Sequence, residues 1–252
     1  MWLPPTTCVE RPNRSCATGV AARVAAVTPG LFNPNRPLPT LSMENIGASV
    51  VKLFYMNQGS RGEYGTPPYQ DYDVVLIAEN PAVKPRFHEV WKGGVPTMSI
   101  QAKDSDGRLR VITDVFDLDL TLQQVRPMVT FQLAREGIRI VFVHLKSGNE
   151  RVATLALRAA ATRLTSEPRF KYQQKQPTLW IGDFNRADDE YLVEELNAKC
   201  IFAGGGFSDW KLDRIYISGD WKNFDVEVTE ATRAAVDHNH IGMVAAITRK
   251  SS

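Results

Sequence analysis

Apolar residues along this chain come in short runs, and polar residues cut those runs off abruptly. The runs lie at 50–56 (VVKLFYM), 74–78 (VVLIA), 95–100, 111–116, 128–133, 138–145 (IRIVFVHL), 178–181, 212–217 and 243–248. Several are rich in Val, Ile and Phe and are continuous, not alternating. That is the pattern of strands covered on both faces. Two stretches predict helices. Residues 150–164 are rich in Ala, Leu and Arg, and residues 188–199 (DDEYLVEELNAK) carry acids in the first turn, where they suit the helix dipole. The sequence has no internal repeat and no low-complexity tract. The expected architecture is an α/β (α+β) four-layer sandwich, with two packed, mostly antiparallel β-sheets flanked by helices in one domain.

Residues 1–42 break this pattern. They hold seven of the 15 prolines, two of the 3 cysteines and a single acid, Glu10. The segment reads as a disordered or non-native leader, and the folded domain as 43–252. Composition adds exclusions. With 43% hydrophobic and 23% charged residues among 252, the chain is neither disordered, collagen-like nor a disulfide scaffold. Cys8, Cys16 and Cys200 have no metal-ligand spacing, and reduced thiols suit a cytosolic setting. Cys200 reads as a packed thiol. No apolar run is long enough for a transmembrane helix. A net charge of +2 means that an anionic partner must be held by a local patch. Oligomerisation has no visible signature, so a monomer is the default.

The informative polar residues sit where the apolar runs end or begin. Asn57 and Glu79 end the first two runs, and His144 falls near the end of another. Asp183 and Asn185 follow 179–182, Asp213 opens 212–217, and Asp237 and His238 precede 243–248. In a mixed or antiparallel sheet, the ends of some strands share a rim with the starts of others, so these groups can face one cleft. Carboxylates with an Asn carbonyl are hard oxygen ligands suited to Mg²⁺ or a similar ion. A His beside an Asp is a base whose tautomer its partner fixes. Together they are the parts for metal-assisted attack of water on a phosphoester.

The residues 182–185 (GDFN), behind an apolar strand, resemble the signature of the endonuclease/exonuclease/phosphatase superfamily, the deoxyribonuclease I-like fold. Other segments follow in that family's order: 51–59 (VKLFYMNQG), 73–79 (DVVLIAE), Arg126-Pro127, 143–147 (VHLKS), 212–214 (LDR) and 236–238 (VDH). There are departures. Met56 stands before the first Asn, Ala78 before the Glu and Val236 where Ser is usual, and no Pro follows the Asp-His pair.

The resemblance implies a divalent-metal-dependent phosphoesterase using Mg²⁺ or Mn²⁺. Glu79 would hold the ion, helped by Asn57, with Asp237 supporting the metal or the His238 loop. Asp183 would handle the attacking water, with Asn185 beside it. His238, paired with Asp213, would move a proton. His144, Arg126 and Asn185 would meet the phosphate oxygens. His240 reads as a loop residue. The implied substrate is nucleic acid, DNA by preference. The alternatives are a phosphatase or phospholipase of the same fold, of the inositol phosphate or sphingomyelin type, and a non-catalytic binding scaffold.

Overall fold

The computed structural model describes residues 50–59, 71–79, 87–94, 97–103, 109–110, 128–166, 175–204, 211–231 and 240–251. All belong to one compact unit, Asn45–Ser252. The expected leader 1–42 and the expected strand 111–116 lie outside the described residues.

The described residues form two six-stranded sheets. The first has the order β11-β12-β1-β2-β4-β3, with β1 Val50–Asn57, β2 Val74–Ala78, β3 His88–Gly93, β4 Met98–Ala102, β11 Phe224–Glu230 and β12 Met243–Arg249. The second has the order β5-β6-β7-β8-β10-β9, with β5 Leu109–Arg110, β6 Val129–Leu133, β7 Ile138–His144, β8 Thr178–Asp183, β9 Lys199–Gly204 and β10 Asp213–Ser218. Pairing is antiparallel except for β1 with β2 and β7 with β8. Two packed, mostly antiparallel sheets are therefore present, as the apolar runs imply.

The continuous runs have a simple cause. Successive side chains point to opposite faces of a strand, and here both faces are covered. In β1, Leu53 and Tyr55 enter the core between the sheets, while Phe54 and Met56 join an apolar cluster with Val75 and Ile77 of β2. In β7, Ile140 and Phe142 face the central core, while Val141 and Val143 pack on the outer side. Against that outer side lies α1, Glu150–Ser166, through Ala153, Leu157, Ala160 and Leu164, together with Leu192 of α2, Glu190–Leu196. Each fully buried Leu, Ile or Phe stabilises the fold by roughly 1.5–3 kcal/mol. Both described helices thus cover the second sheet. Among the described residues, none crosses the first, and no helix is long and apolar enough to span a membrane.

The strands that the apolar runs do not mark are β3, β5, β9 and β11, and among the described residues these are the sheet edges. An edge strand is covered less, so it tolerates polar residues, as in HEVWKG and FDVEVTE. Residue 199, expected to end a helix, instead opens β9. Helix α2 stops earlier because Asn197 takes the left-handed conformation (φ 48°) and Ala198 N–H donates back to the Leu192 carbonyl. Cys200 sits on that edge and is exposed, not packed.

Candidate active site

Strand register assembles most of the polar set. His144 pairs with Asp183 across β7 and β8, and Asp183 pairs with Asp213 across β8 and β10. All three continue the inward-facing series of their strands: Ile140 and Phe142, Leu179 and Ile181, and Ile215. Asn57 does the same two residues beyond Tyr55. The apolar core between the sheets therefore turns polar at one end. Gly182 permits the close approach of β7 and β8. Its φ is 148°, and a Cβ there would overlap the Val143 carbonyl oxygen, so only glycine fits.

Two further side chains reach the rim through unusual backbone. Among the described non-glycine residues, positive φ occurs at Glu79 (59°), Asn185 (49°) and the helix cap Asn197 (48°). A left-handed glutamate costs on the order of 1–3 kcal/mol, and surrounding structure must hold it. Glu79 follows the inward-facing Ala78, and the bend carries its Oε1 to 3.3 Å from His144 Nε2. The same nitrogen lies 3.7 Å from Asp183 Oδ2, so two carboxylates flank one buried imidazole.

Asp183 is fully enclosed. Its Oδ1 accepts the Asn185 backbone N–H at 2.7 Å, and its Oδ2 accepts Asn57 Nδ2 at 3.1 Å. Asn185 also closes the turn by donating its Nδ2 to the Leu145 carbonyl at 2.6 Å. The side-chain Oδ1 of Asn57 accepts Gly59 N–H at 3.0 Å, which turns its Nδ2 toward Asp183 and His240. Its geometry is that of an orienting donor.

Asp213 has its oxygens engaged throughout. Oδ1 accepts the Tyr55 hydroxyl at 3.0 Å, Oδ2 accepts Ile241 N–H at 3.1 Å, and both lie 3.2 Å from His240 Nδ1. An ionised Asp213 can only accept, so His240 donates from Nδ1 and keeps its Nε2 lone pair. That Nε2 lies 3.3 Å from Asn57 Nδ2 and 3.8 Å from Asp183 Oδ2.

This corrects the sequence reading in one place. His240, expected to be a loop residue, is the histidine on Asp213, whereas His238, expected there, lies outside the described residues, as do Asp237 and Arg126. Register supplies the reason. The β1–β12 ladder pairs Tyr55 with Met243, so two residues further Asn57 comes abreast of residue 241, next to His240. The missing signal was distance from the strand start, which favours 240 over 238. Tyr55 was also missed, because it reads as one more apolar strand residue. Its parity with Asn57 was the available clue.

Burial dominates the electrostatics. It pushes the carboxyl of Asp183 above its ordinary value, with His144 opposing the shift and Asp213 adding to it. Burial likewise raises Asp213, against the hydrogen bond from His240. Tyr55 is held well above its ordinary value by burial and then by the charge of Asp213, so it remains a donor. Two buried carboxylates faced by imidazoles favour an added cation. Among the described residues, an oxygen of Asp183, an oxygen of Asp213 and a nitrogen of His240 lie within 4.8 Å of one another and could hold a metal ion.

No protein-family profile matches the sequence, and no curated protein matches it. Solved structures do. D. rerio TDP2 complexed with single-strand DNA product superimposes with a TM-score of 0.55 at 11% identity, over 79% of this chain and 99% of that one. An endonuclease/exonuclease/phosphatase from Bacteroides vulgatus gives 0.51 at 13% identity, over 80% and 100%. The endonuclease domain of TRAS1, a telomere-specific non-LTR retrotransposon, gives 0.53 at 18% identity, over 81% and 100%. The two-sheet architecture and these likenesses agree with the resemblance carried by 182–185, 143–147 and 212–214: the chain has the endonuclease/exonuclease/phosphatase fold.

Proposed function

We propose that this protein is a divalent-metal-dependent phosphoesterase that hydrolyses phosphodiester bonds of nucleic acid, DNA by preference. The observation that carries the reading is the pairing of His240 with a fully engaged Asp213, its Nε2 turned toward Asp183. DNA is favoured because solved structures of the same fold include TDP2 with a DNA product and the TRAS1 endonuclease domain.

In this reading Glu79, beside His144, would hold Mg²⁺ (or Mn²⁺). The ion would offset charge on the phosphoryl oxygens and ease ionisation of water. Asp183 orients the attacking water and receives its proton. Asn57 holds Asp183 and His240 in register. His240, positive after protonation and steadied by Asp213, delivers a proton to the leaving oxygen in line with the attack. Asp213 fixes the tautomer, and Tyr55 fixes Asp213. His144, with the second Asn185 amide hydrogen and Arg126 from the 111–127 segment, meets the non-bridging oxygens.

The test is nicking of supercoiled plasmid with Mg²⁺ and with EDTA, run beside phosphate release from inositol phosphates and hydrolysis of sphingomyelin. Metal-dependent nicking is expected. Turnover of the inositol or sphingolipid substrates alone would reject the nuclease reading and keep the phosphoesterase one. No turnover of any phosphoester would favour a binding scaffold.

A further inference from the structure

One cation of the 143–147 segment takes no part in the reaction described above. Lys146 stands two residues beyond His144, and printed bonds fix the backbone around it. Leu145 N–H donates to the Asp183 carbonyl at 2.8 Å, so the pairing of β7 with β8 runs on past His144. The Leu145 carbonyl in turn accepts Asn185 Nδ2 at 2.6 Å. His144 is level with Asp183, so two residues further Lys146 comes abreast of Asn185. The chain then turns at Ser147 and at Gly148, whose φ is 72°, on its way into α1.

Alternation decides which face Lys146 occupies. Val141, Val143 and Leu145 pack on the outer side with α1, whereas Ile140 and Phe142 face the space between the sheets, and His144 continues that series. Lys146 therefore leaves the backbone on the side of His144. At roughly 3.3 Å per residue, its Cα lies about 6.6 Å further toward the rim, a gap that a four-carbon stem covers. The side chain is half-buried, and among the described residues no ion pair or hydrogen bond engages its ammonium. Arg186, beside Asn185, already has a partner. Below Lys146 stand three carboxylates, Glu79, Asp183 and Asp213, around the imidazoles of His144 and His240. They repel an incoming phosphate, and a cation at the rim offsets that repulsion.

We infer that Lys146 is a substrate-binding residue of this site, its ammonium meeting an outward non-bridging oxygen of the phosphate being cleaved. The inference rests on the function proposed above and deepens it. An ammonium on a flexible stem is a mobile point charge, so it grips the phosphate alike before and during the reaction. Such uniform binding lowers KM and leaves kcat unchanged. The requirement is for charge, not for a particular shape.

Three variants of the full chain test this: Lys146→Gln, Lys146→Ala and Lys146→Arg. Each is assayed with Mg²⁺ on bis(4-nitrophenyl) phosphate, which has a single phosphate, and on a short labelled single strand of DNA. Binding of the strand is measured separately in EDTA across a salt series. For Lys146→Gln and Lys146→Ala, KM should rise about tenfold on both substrates, the scale of one charge-assisted hydrogen bond, with kcat within twofold of the parent. In EDTA their affinity for the strand should fall similarly, and the salt slope should flatten by about 0.7, the value for one phosphate no longer neutralised. Lys146→Arg should keep KM near the parent value. Urea unfolding should be the same in all four proteins, because no bond of the fold is lost.

An unchanged KM in Lys146→Gln overturns the inference. So does a loss confined to the strand, which would move the contact to a different phosphate. A failure of Lys146→Arg to rescue, or a fall in kcat with no change in KM, overturns it as well. If the parent hydrolyses neither substrate, the function proposed above fails for phosphodiesters. The EDTA series then still decides the role of Lys146, since equal strand affinity in the parent and Lys146→Gln, or none in either, overturns it.

Discussion

Strands β7, β8 and β10 carry a row of buried polar residues at each end, and the two rows behave differently. At one end the row is His144, Asp183 and Asp213, in register and facing the space between the sheets. At the other it is Arg139, Thr178 and Ser218, also in register but on the outer, helix-covered face. Both rows are almost fully buried. Burial opposes charge in both, raising the two aspartates and lowering Arg139 to about 10. The second row has local remedies: Arg139 donates to the Gln176 side chain at 2.9 Å, Thr178 to the Gln176 carbonyl, and Trp180 to Ser218. In the first row the side chains converge from both sheets on shared atoms, with Asn57 and Tyr55 crossing from β1. Buried charge alone does not make a site. Several titratable groups directed at one point do.

The strongest way to break this contrast is at the converging row. Asp183→Asn and His240→Ala should each lower phosphodiester hydrolysis by about a hundred- to ten-thousandfold, the range of positioned acid–base groups. His238→Ala should leave it near the parent rate. A dead His238→Ala beside an active His240→Ala would reverse the pairing with Asp213.

Metal linkage is next. Mg²⁺ at a hundred times its Kd should stabilise the parent protein at neutral pH by about 2.7 kcal/mol, with EDTA removing the gain. Glu79→Ala should shift the metal titration to higher concentration in both activity and thermal unfolding. An unchanged titration would remove Glu79 as a ligand. Tyr55→Phe should cost about 1–3 kcal/mol in urea unfolding, because Asp213 loses a buried donor, and should slow turnover about tenfold. Equal loss of stability with full activity would make Tyr55 a packing residue only.

The smallest effect belongs to the other row. Arg139→Met should leave hydrolysis unchanged and move stability by about 1 kcal/mol or less, since an apolar side chain of similar volume needs no solvation. Its pH signature has a definite sign. Burial disfavours the guanidinium, so the fold bears that cost below about 10 and gains as pH rises from there toward the ordinary guanidinium range. Unfolding measured over that alkaline window should show the gain in the parent protein and not in Arg139→Met.

How much was legible beforehand follows from the same contrast. The inner strands β1, β2, β4, β6, β7, β8, β10 and β12 announced themselves, because covering both faces demands unbroken apolar runs. The edges β3, β5, β9 and β11 did not, since one uncovered side frees their composition. Asn57, Glu79, His144, Asp183, Asn185 and Asp213 stood out as polar breaks in apolar runs. Tyr55 could not, because a phenol inside such a run looks like packing until its hydroxyl finds Asp213 from another sheet.

The chain's own order of residues determined that there are two-faced strands, where they stop, and which carboxylates and imidazoles stand at the stops. Only the tertiary structure decided which histidine meets Asp213, that Tyr55 joins it, and that Glu79 turns inward through a left-handed bend. The reason is physical. Strand identity follows from local periodicity and burial, while partner choice depends on register between segments far apart in the chain. A difference of two residues, 238 against 240, is invisible until the ladder from Tyr55 to Met243 fixes it.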